Sequence, residues 1–329
     1  MTIRAHHDQS LFATVVSRRE LHYTDGPDAS LDRPAHVRAG SGIVRLGARL
    51  LVVQDDTSFL AVVDGERVHG VPLPAGPGGR RQFSEALGNK KDKLDLEACL
   101  LHLETLIAFG SGSTAARERI VIVEGAFGDR PSPRIVDAPD LYRALRDNHA
   151  FAGSELNVEG AALHEGRLVL FQRGNGAARD GRLPVSATCE LSFAELWAHL
   201  LGRAPCPTPR NVVQYDLGAV EGVPLTFTDA TAAPSGALLF LAAAEDSPDA
   251  YDDGPVLGVA IGILDADGAR LALLRDPSGA LVRAKTEGIC LRPGDPSRAD
   301  VVVDRDDPDA PCELYEVELF GFFPTASGG

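Results

Sequence analysis

Glu155–Gly174 reads ELNVEGAALHEGRLVLFQRG. Two apolar runs flank a glycine turn, the pattern of a β-hairpin, yet a carboxylate, Glu159, sits inside the first run beside Gly160. A buried strand tolerates such a charge only where it turns toward a partner or a polar channel. The arrangement recurs along the chain. SGIVRLGARLLVVQDD starts at Ser41, EACLLHLETLIAFGSGS at Glu97, EGAALHEGRLVLFQRGN at Glu159, DATAAPSGALLFLAAAEDS at Asp229 and EGICLRPGDPSRADVVVDRDD at Glu287. Their spacings of 56, 62, 70 and 58 residues are those of four-stranded propeller blades with loop insertions.

A third strand follows in four of the units, as SFLAVVDG, ERIVIVEG, GPVLGVAIGILD and CELYEVEL. Units that cannot bury both faces alone stack on their neighbours. The last unit runs out after CELYEVELFGFF, while LFATVVSRRELHY (Leu11–Tyr23) precedes the first as an unassigned strand. The expected fold is therefore all-β: a five-bladed β-propeller forming one domain over residues 1–329, with the N-terminal strand closing the last blade. A six-bladed ring is the alternative should residues 177–224 hide another unit, and a β-sandwich with insertions is the plainer competitor. Helical periodicity is confined to Ala138–His149 and Ser192–Arg203.

Composition narrows the function. The 329 residues carry a formal charge of −15 with 44% hydrophobic content, enough apolar material for a packed core. The acidic balance argues against nucleic acid and anionic membranes, both of which bind through clustered Lys and Arg. No apolar stretch approaches the roughly 20 residues of a spanning helix, and no signal peptide stands out. A cytoplasmic location is the default expectation. Cys99, Cys189, Cys206, Cys290 and Cys312 are odd in number, scattered and without a CxxC pair, so neither a disulfide framework nor a zinc site is indicated. Oligomeric state is left open.

In a propeller the innermost strand of each blade lines a central channel, so Ser41, Glu97, Glu159, Asp229 and Glu287 are expected to face one another there. Carboxylates that close repel unless a cation sits among them. Oxygen donors alone suit calcium (Ca2+), which accepts six to eight oxygens in flexible geometry, better than zinc; magnesium is the poorer match.

Here the chain resembles the five-bladed calcium-activated nucleotidase (apyrase) propellers, which set a channel calcium on a Ser or Glu from each blade. Ser41, Glu97, Glu159 and Glu287 match that pattern, and Asp229 departs from it. EGAAL, EGICL and VVVDRDDPDAPCELYEVEL are also similar to esterase-like phytases and related uncharacterised bacterial propeller families. The resemblance implies a calcium-containing propeller, and transfers no catalytic residue.

Chemistry is expected at the channel mouth, where segments entering the inner strands meet the loops after the second strands. Positions two before the ring share its strand face, placing Asp95, Asn157 and Lys285 above Glu97, Glu159 and Glu287. Asp95 and Asp304 are candidate bases, with Lys93 and Lys285 beside them. His36, Arg38, Asn157, Arg173 and Arg283 are candidates to bind a small anionic molecule. Inter-blade salt bridges would explain the same charges. DRDDPDAP (Asp304–Pro311) lacks the Gly and distal Glu of an EF-hand loop. GSGS and RGNG lack the Lys-Ser/Thr of a P-loop, and no GxSxG elbow occurs. Two functions follow: a calcium-containing hydrolase of a phosphoester or related anionic compound, or a non-catalytic ligand-binding or protein-interaction propeller with structural calcium.

Overall fold

The computed structural model describes residues 2–128, 130–246 and 254–323. Four-stranded antiparallel units succeed one another along it. The first comprises Gly40–Leu46, Arg49–Gln54, Phe59–Asp64 and Arg67–Pro72, and the second Leu96–His102, Thr105–Gly110, Arg119–Glu124 and Ser132–Asp137. The third comprises Val158–His164, Arg167–Gln172, Ser186–Ser192 and Arg210–Asp216; the fourth Thr226–Ala232, Leu238–Glu245, Val256–Asp265 and Gly268–Arg275. Lys285–Arg292, Asp295–Asp304 and Glu313–Phe320 make the fifth with a strand from the other end of the chain. Phe12–Glu20 pairs antiparallel with Glu313–Phe320, from Phe12↔Phe320 to Glu20↔Glu313.

The first strands of the units pack side by side in a closed circuit, the fifth returning onto the first. Second strands such as Arg49–Gln54 and Arg167–Gln172 are apolar and buried on both faces because each sheet is covered on both sides by neighbours. Five apolar clusters fill the five gaps between successive sheets. The arrangement is all-β and propeller-like.

Residues 177–224 hold no further four-stranded sheet. They supply the last two strands of the third unit, the helix Phe193–Leu200 and a ribbon of Ala219–Val220 with Val223–Pro224. Ser192 caps that helix through its side chain, accepting from the Glu195 N–H. The other helical stretch, Pro139–Asp147, buries Leu141, Tyr142 and Leu145. Ahead of the closing strand the N-terminal arm runs along two outer edges, Thr2–Arg4 parallel to Gln214–Asp216 and His6–His7 parallel to Arg270–Leu271. Ala13 and Thr14 then pair with Leu274 and Arg275, joining the fourth and fifth units into one continuous sheet. Among the described residues no helix is long and apolar enough to cross a membrane.

Candidate functional site

Each first strand breaks its pairing once, near its start. The register skips Ser41, Glu97, Glu159 and Glu287, each the extra residue of a β-bulge. A bulge bends the strand and re-aims one side chain out of the regular alternation. This is how an apolar strand carries a carboxylate: Glu159 is only 2% exposed, yet it lines a cavity of about 410 Å³ at the mouth of the circuit. Tight packing beside the bulges requires small neighbours. A Cβ on Gly288 would meet Ile43 N at 2.9 Å, and one on Gly160 would meet Ala230 N at 3.0 Å.

In the fourth unit the skipped residue is Thr228, not Asp229. Asp229 occupies the small-residue position, and its carboxyl accepts from the Ile289 N–H at 2.7 Å, bridging two inner strands away from the cavity. Burial holds its pKa well above the ordinary value. The expected ring therefore becomes three carboxylates with the hydroxyls Ser41 and Thr228 in register. The cause of the error is a one-residue shift: Asp-Ala at 229–230 mimics the Glu-Gly of the other units.

Eleven of the fourteen candidate residues line the cavity: Arg38, Ser41, Lys93, Asp95, Glu97, Asn157, Glu159, Arg173, Lys285, Glu287 and Asp304. Besides Asp229, two do not. Arg283 is about half exposed and pairs with Glu221 on the surface. His36 faces the rim loop, its Nε2 lying 3.3 Å from the Pro308 carbonyl oxygen.

The cavity's charges fall into three groups. In the first, Lys93 is 5% exposed and its ammonium contacts Asp55, Asp56 at 3.3 Å and Asp95 at 3.0 Å. Burial works against that charge, but Asp55, Asp95 and Asp56 hold the lysine protonated well above its usual range. For Asp95 the raising effect of burial is outweighed by Lys93, by Arg117 at 3.1 Å and by the Ser111 hydroxyl, so its pKa lies below the ordinary value. Asp55, Asp95 and Glu97 bring carboxylate oxygens within 4.8 Å of one another, but the lysine ammonium already bonds two of these acids.

In the second group Arg173 joins Glu159, at 3.2 Å, to Glu245. Asn157 donates to Glu159 Oε1 at 2.7 Å. Glu159 Oε2 and both carboxylate oxygens of Glu287 remain buried without a hydrogen-bond donor among the described residues. Burial raises the pKa of Glu97, Glu159 and Glu287; Asp55 and Glu159 add to it at Glu97, while Arg173 works against it at Glu159 and Glu287. Orphaned buried carboxylate oxygens require protons or a cation, and an all-oxygen donor set fits a hard divalent ion. Ser41 donates to the Leu96 carbonyl, leaving its oxygen lone pairs to accept.

The third group lies on the rim. Lys285 and Asp304 are cross-strand partners, and Lys285 Nζ lies 2.7 Å from Asp306. Burial pushes Asp304 up to about 7, against the lowering effect of Lys285. Opposite, the Arg38 backbone N–H donates to Gln54 Oε1 at 2.9 Å and its guanidinium reaches Gln82 at 3.3 Å.

Residues 36–319 match the profile of one family, described as a family of unknown function (DUF6929). The chain belongs to that family. Of the resemblance, the propeller type is supported and the nucleotidase and phytase families are not. No curated protein sequence matches the chain. Its fold is similar to that of the glutaminyl cyclase of Myxococcus xanthus, with 12% identity and a TM-score of 0.50 over 97% of this chain and 99% of that one. A putative gluconolactonase aligns at 12% identity and TM-score 0.40, covering 98% of this chain and 100% of its own. A mannose phosphorylase from Leishmania mexicana aligns at 14% and 0.44, covering 95% and 94%. At these identities the likeness is one of fold, and that fold is propeller-like.

Sequence reasoning missed Arg117, Ser111 and Thr228 in this DUF6929 chain. Arg117 lies in the segment between Thr105–Gly110 and Arg119–Glu124, where no periodicity or motif marks it, and Ser111 belongs to the GSGS stretch that lacks the features of a P-loop. Thr228 was discoverable from the apolar-small alternation alone, had the fourth unit been aligned one residue earlier.

Proposed function

We propose that the chain is a five-bladed β-propeller hydrolase that holds calcium at the base of the mouth cavity and cleaves a phosphoester or related anionic small molecule there. The observation that carries this reading is the set of donorless carboxylate oxygens on Glu159 and Glu287, buried at the foot of a cavity lined by further charged groups. Glu97, Glu159 and Glu287, with the Ser41 hydroxyl, would hold the ion. Bound there, a divalent cation supplies positive charge that polarises a substrate oxygen.

The protein's own groups do the rest. Asp304, with its pKa near 7, is the proton acceptor for the attacking water, a value suited to general-base work at neutral pH. Asp95, held ionised by two cations, keeps Lys93 in place instead. Lys285 sits opposite Asp304 and steadies its carboxylate, while Arg38 and Asn157 orient the substrate. Arg173 fixes Glu159 and Glu245 against each other. The five thiols are unpaired, as a cytoplasmic protein would have them.

The test pairs a melt of chelator-stripped protein, with and without calcium and with magnesium as control, with a screen over phosphoesters, lactones and nucleotides. A calcium-selective rise together with turnover lost in Asp304→Asn supports the reading. A second reading, a non-catalytic binding propeller with structural calcium, is favoured by one observation: Lys93, Arg117 and Arg173 are already ion-paired, as in a stabilising network. A calcium-dependent melt without turnover across the screen selects it.

A further inference from the structure

The mouth cavity has a surplus of acceptors. Of its 26 described lining residues eleven are Asp or Glu and six are Lys or Arg. Four of these six cations are closely engaged within the cavity itself. Lys93 bonds Asp55, Asp56 and Asp95; Arg117 bonds Asp95; Arg173 bonds Glu159 and Glu245; Lys285 bonds Asp306. A polyphosphate could gain these cations only by stripping them from carboxylates, several of them buried, which would then stand uncompensated. Acceptors are what remain: Asp55 Oδ1 lacks a donor among the described residues, and Glu159 Oε2 and both oxygens of Glu287 have none there apart from the cation proposed for them. A ligand complementary to this wall brings hydrogen-bond donors of its own.

Shape and surface point the same way. None of the described lining residues is aromatic, and the few apolar ones are small, namely Ala39, Ala86 and Pro308. A nucleobase is ordinarily gripped by stacking on a ring, and this wall offers none. The volume of about 410 Å³ lies toward the small end of ligand pockets.

We infer that the ligand of this cavity is a compact polyol, of roughly sugar size, that carries at most one phosphate or carboxylate. The inference rests on the cavity being the site proposed above and narrows its substrate class. Hydroxyls donate to the lining carboxylates outside the proposed cation site and accept from Asn157 and Asn175 at the side of the cavity. A single anionic group has a counterpart in Arg38, whose buried Nε and Nη2 have no hydrogen-bond acceptor among the described residues and whose Asp56 partner is 3.8 Å away.

The test is calorimetric titration of the full-length, calcium-supplemented protein with gluconate, glucose 6-phosphate, ATP, inositol hexakisphosphate and spermidine. The expected result is that gluconate or glucose 6-phosphate binds at least about tenfold more tightly than ATP or inositol hexakisphosphate, and that Asn175→Ala weakens it about tenfold. Tighter binding of ATP, the hexakisphosphate or spermidine than of either polyol overturns the inference, as does silence from both polyols at millimolar concentration in folded protein. Repeating the polyol titrations in chelator-treated protein separates the two claims. Polyol binding without any calcium response would remove the metal reading and leave the ligand class standing.

Discussion

Lys93 is the most heavily engaged side chain in the cavity, one ammonium among three carboxylates. Replacing it with Met, which keeps the length of the stem, leaves Asp55 without its counter-charge and Asp95 with Arg117 alone. Breaking a buried ion pair from one side typically costs about 3–5 kcal/mol, so the Lys93→Met variant should melt several degrees below wild type, at about 2 °C per kcal/mol for a chain of this size. A scanning-calorimetry difference under one degree would show that the cluster protonates instead. Glu287→Gln is the opposite case. Removing one charge from a cluster with donorless oxygens should leave the metal-free protein at least as stable as wild type. It should also abolish the calcium-induced rise, which for native-state binding at 100 times the dissociation constant amounts to about 2.7 kcal/mol. Gly288→Ala tests the packing beside the same bulge. Its Cβ would press on the backbone of Gly42 and Ile43, an overpacking that commonly costs about 1–3 kcal/mol, read as a lower denaturant midpoint.

At the scale of the strand, the bulge is the device that reconciles an apolar inner strand with a charged channel, and its register explains what could be read beforehand. The hairpins, the third strands and the closing strand were legible because buried strands of five to eight residues bounded by glycine leave a strong apolar signal. So were eleven residues that line the cavity, because mouth positions follow from strand order. The fourth unit was not, because pairing register depends on which residue is left unpaired, and Asp-Ala at 229–230 satisfies the pattern one place too late. Ser186–Ser192, the third strand of the third unit, carries no such signal because SATCELS, although mostly buried, is largely polar in composition. Asp304 ends a second strand at the cavity edge, and its titration is a property of that position. Its proton is held more tightly in the folded state, with a pKa near 7 against about 3.9 for an ordinary aspartate. Stability contributed by the protonated form is therefore lost as pH rises from about 4 to about 7. Asp304→Asn should flatten that decline, melting above wild type at pH 8 and close to it at pH 4, as thermal scans at the two pH values would show.

Across the whole molecule, five apolar clusters between sheets mean that no unit completes its core alone, and the ring depends on its closure. Truncation distinguishes the two parts of the N-terminal arm. Removing residues 1–7 takes away only the parallel edge pairings with Gln214–Asp216 and Arg270–Leu271, so the protein should fold and melt a few degrees lower. Removing residues 1–20 strips the fifth unit of its outer strand and uncovers Tyr315, Val317 and Leu319, which are buried against it; the product should be insoluble or bind hydrophobic dyes.

That arm also fixes an order of assembly during synthesis. Its partners emerge from the ribosome in the sequence in which the arm meets them: Thr2–Arg4 can dock once residue 216 is made, His6–His7 once residue 271 is made, and Phe12–Glu20, after a first foothold of Ala13 and Thr14 on residues 274–275, pairs along its length only when residues 313–320 appear. Phe12–Glu20 is thus fully paired long after it is translated, and the arm zips along successive outer edges. Until the final strand arrives, a nascent edge of nine residues stays open to chaperones or to a second chain, and translation speed near the C-terminus becomes a determinant of yield.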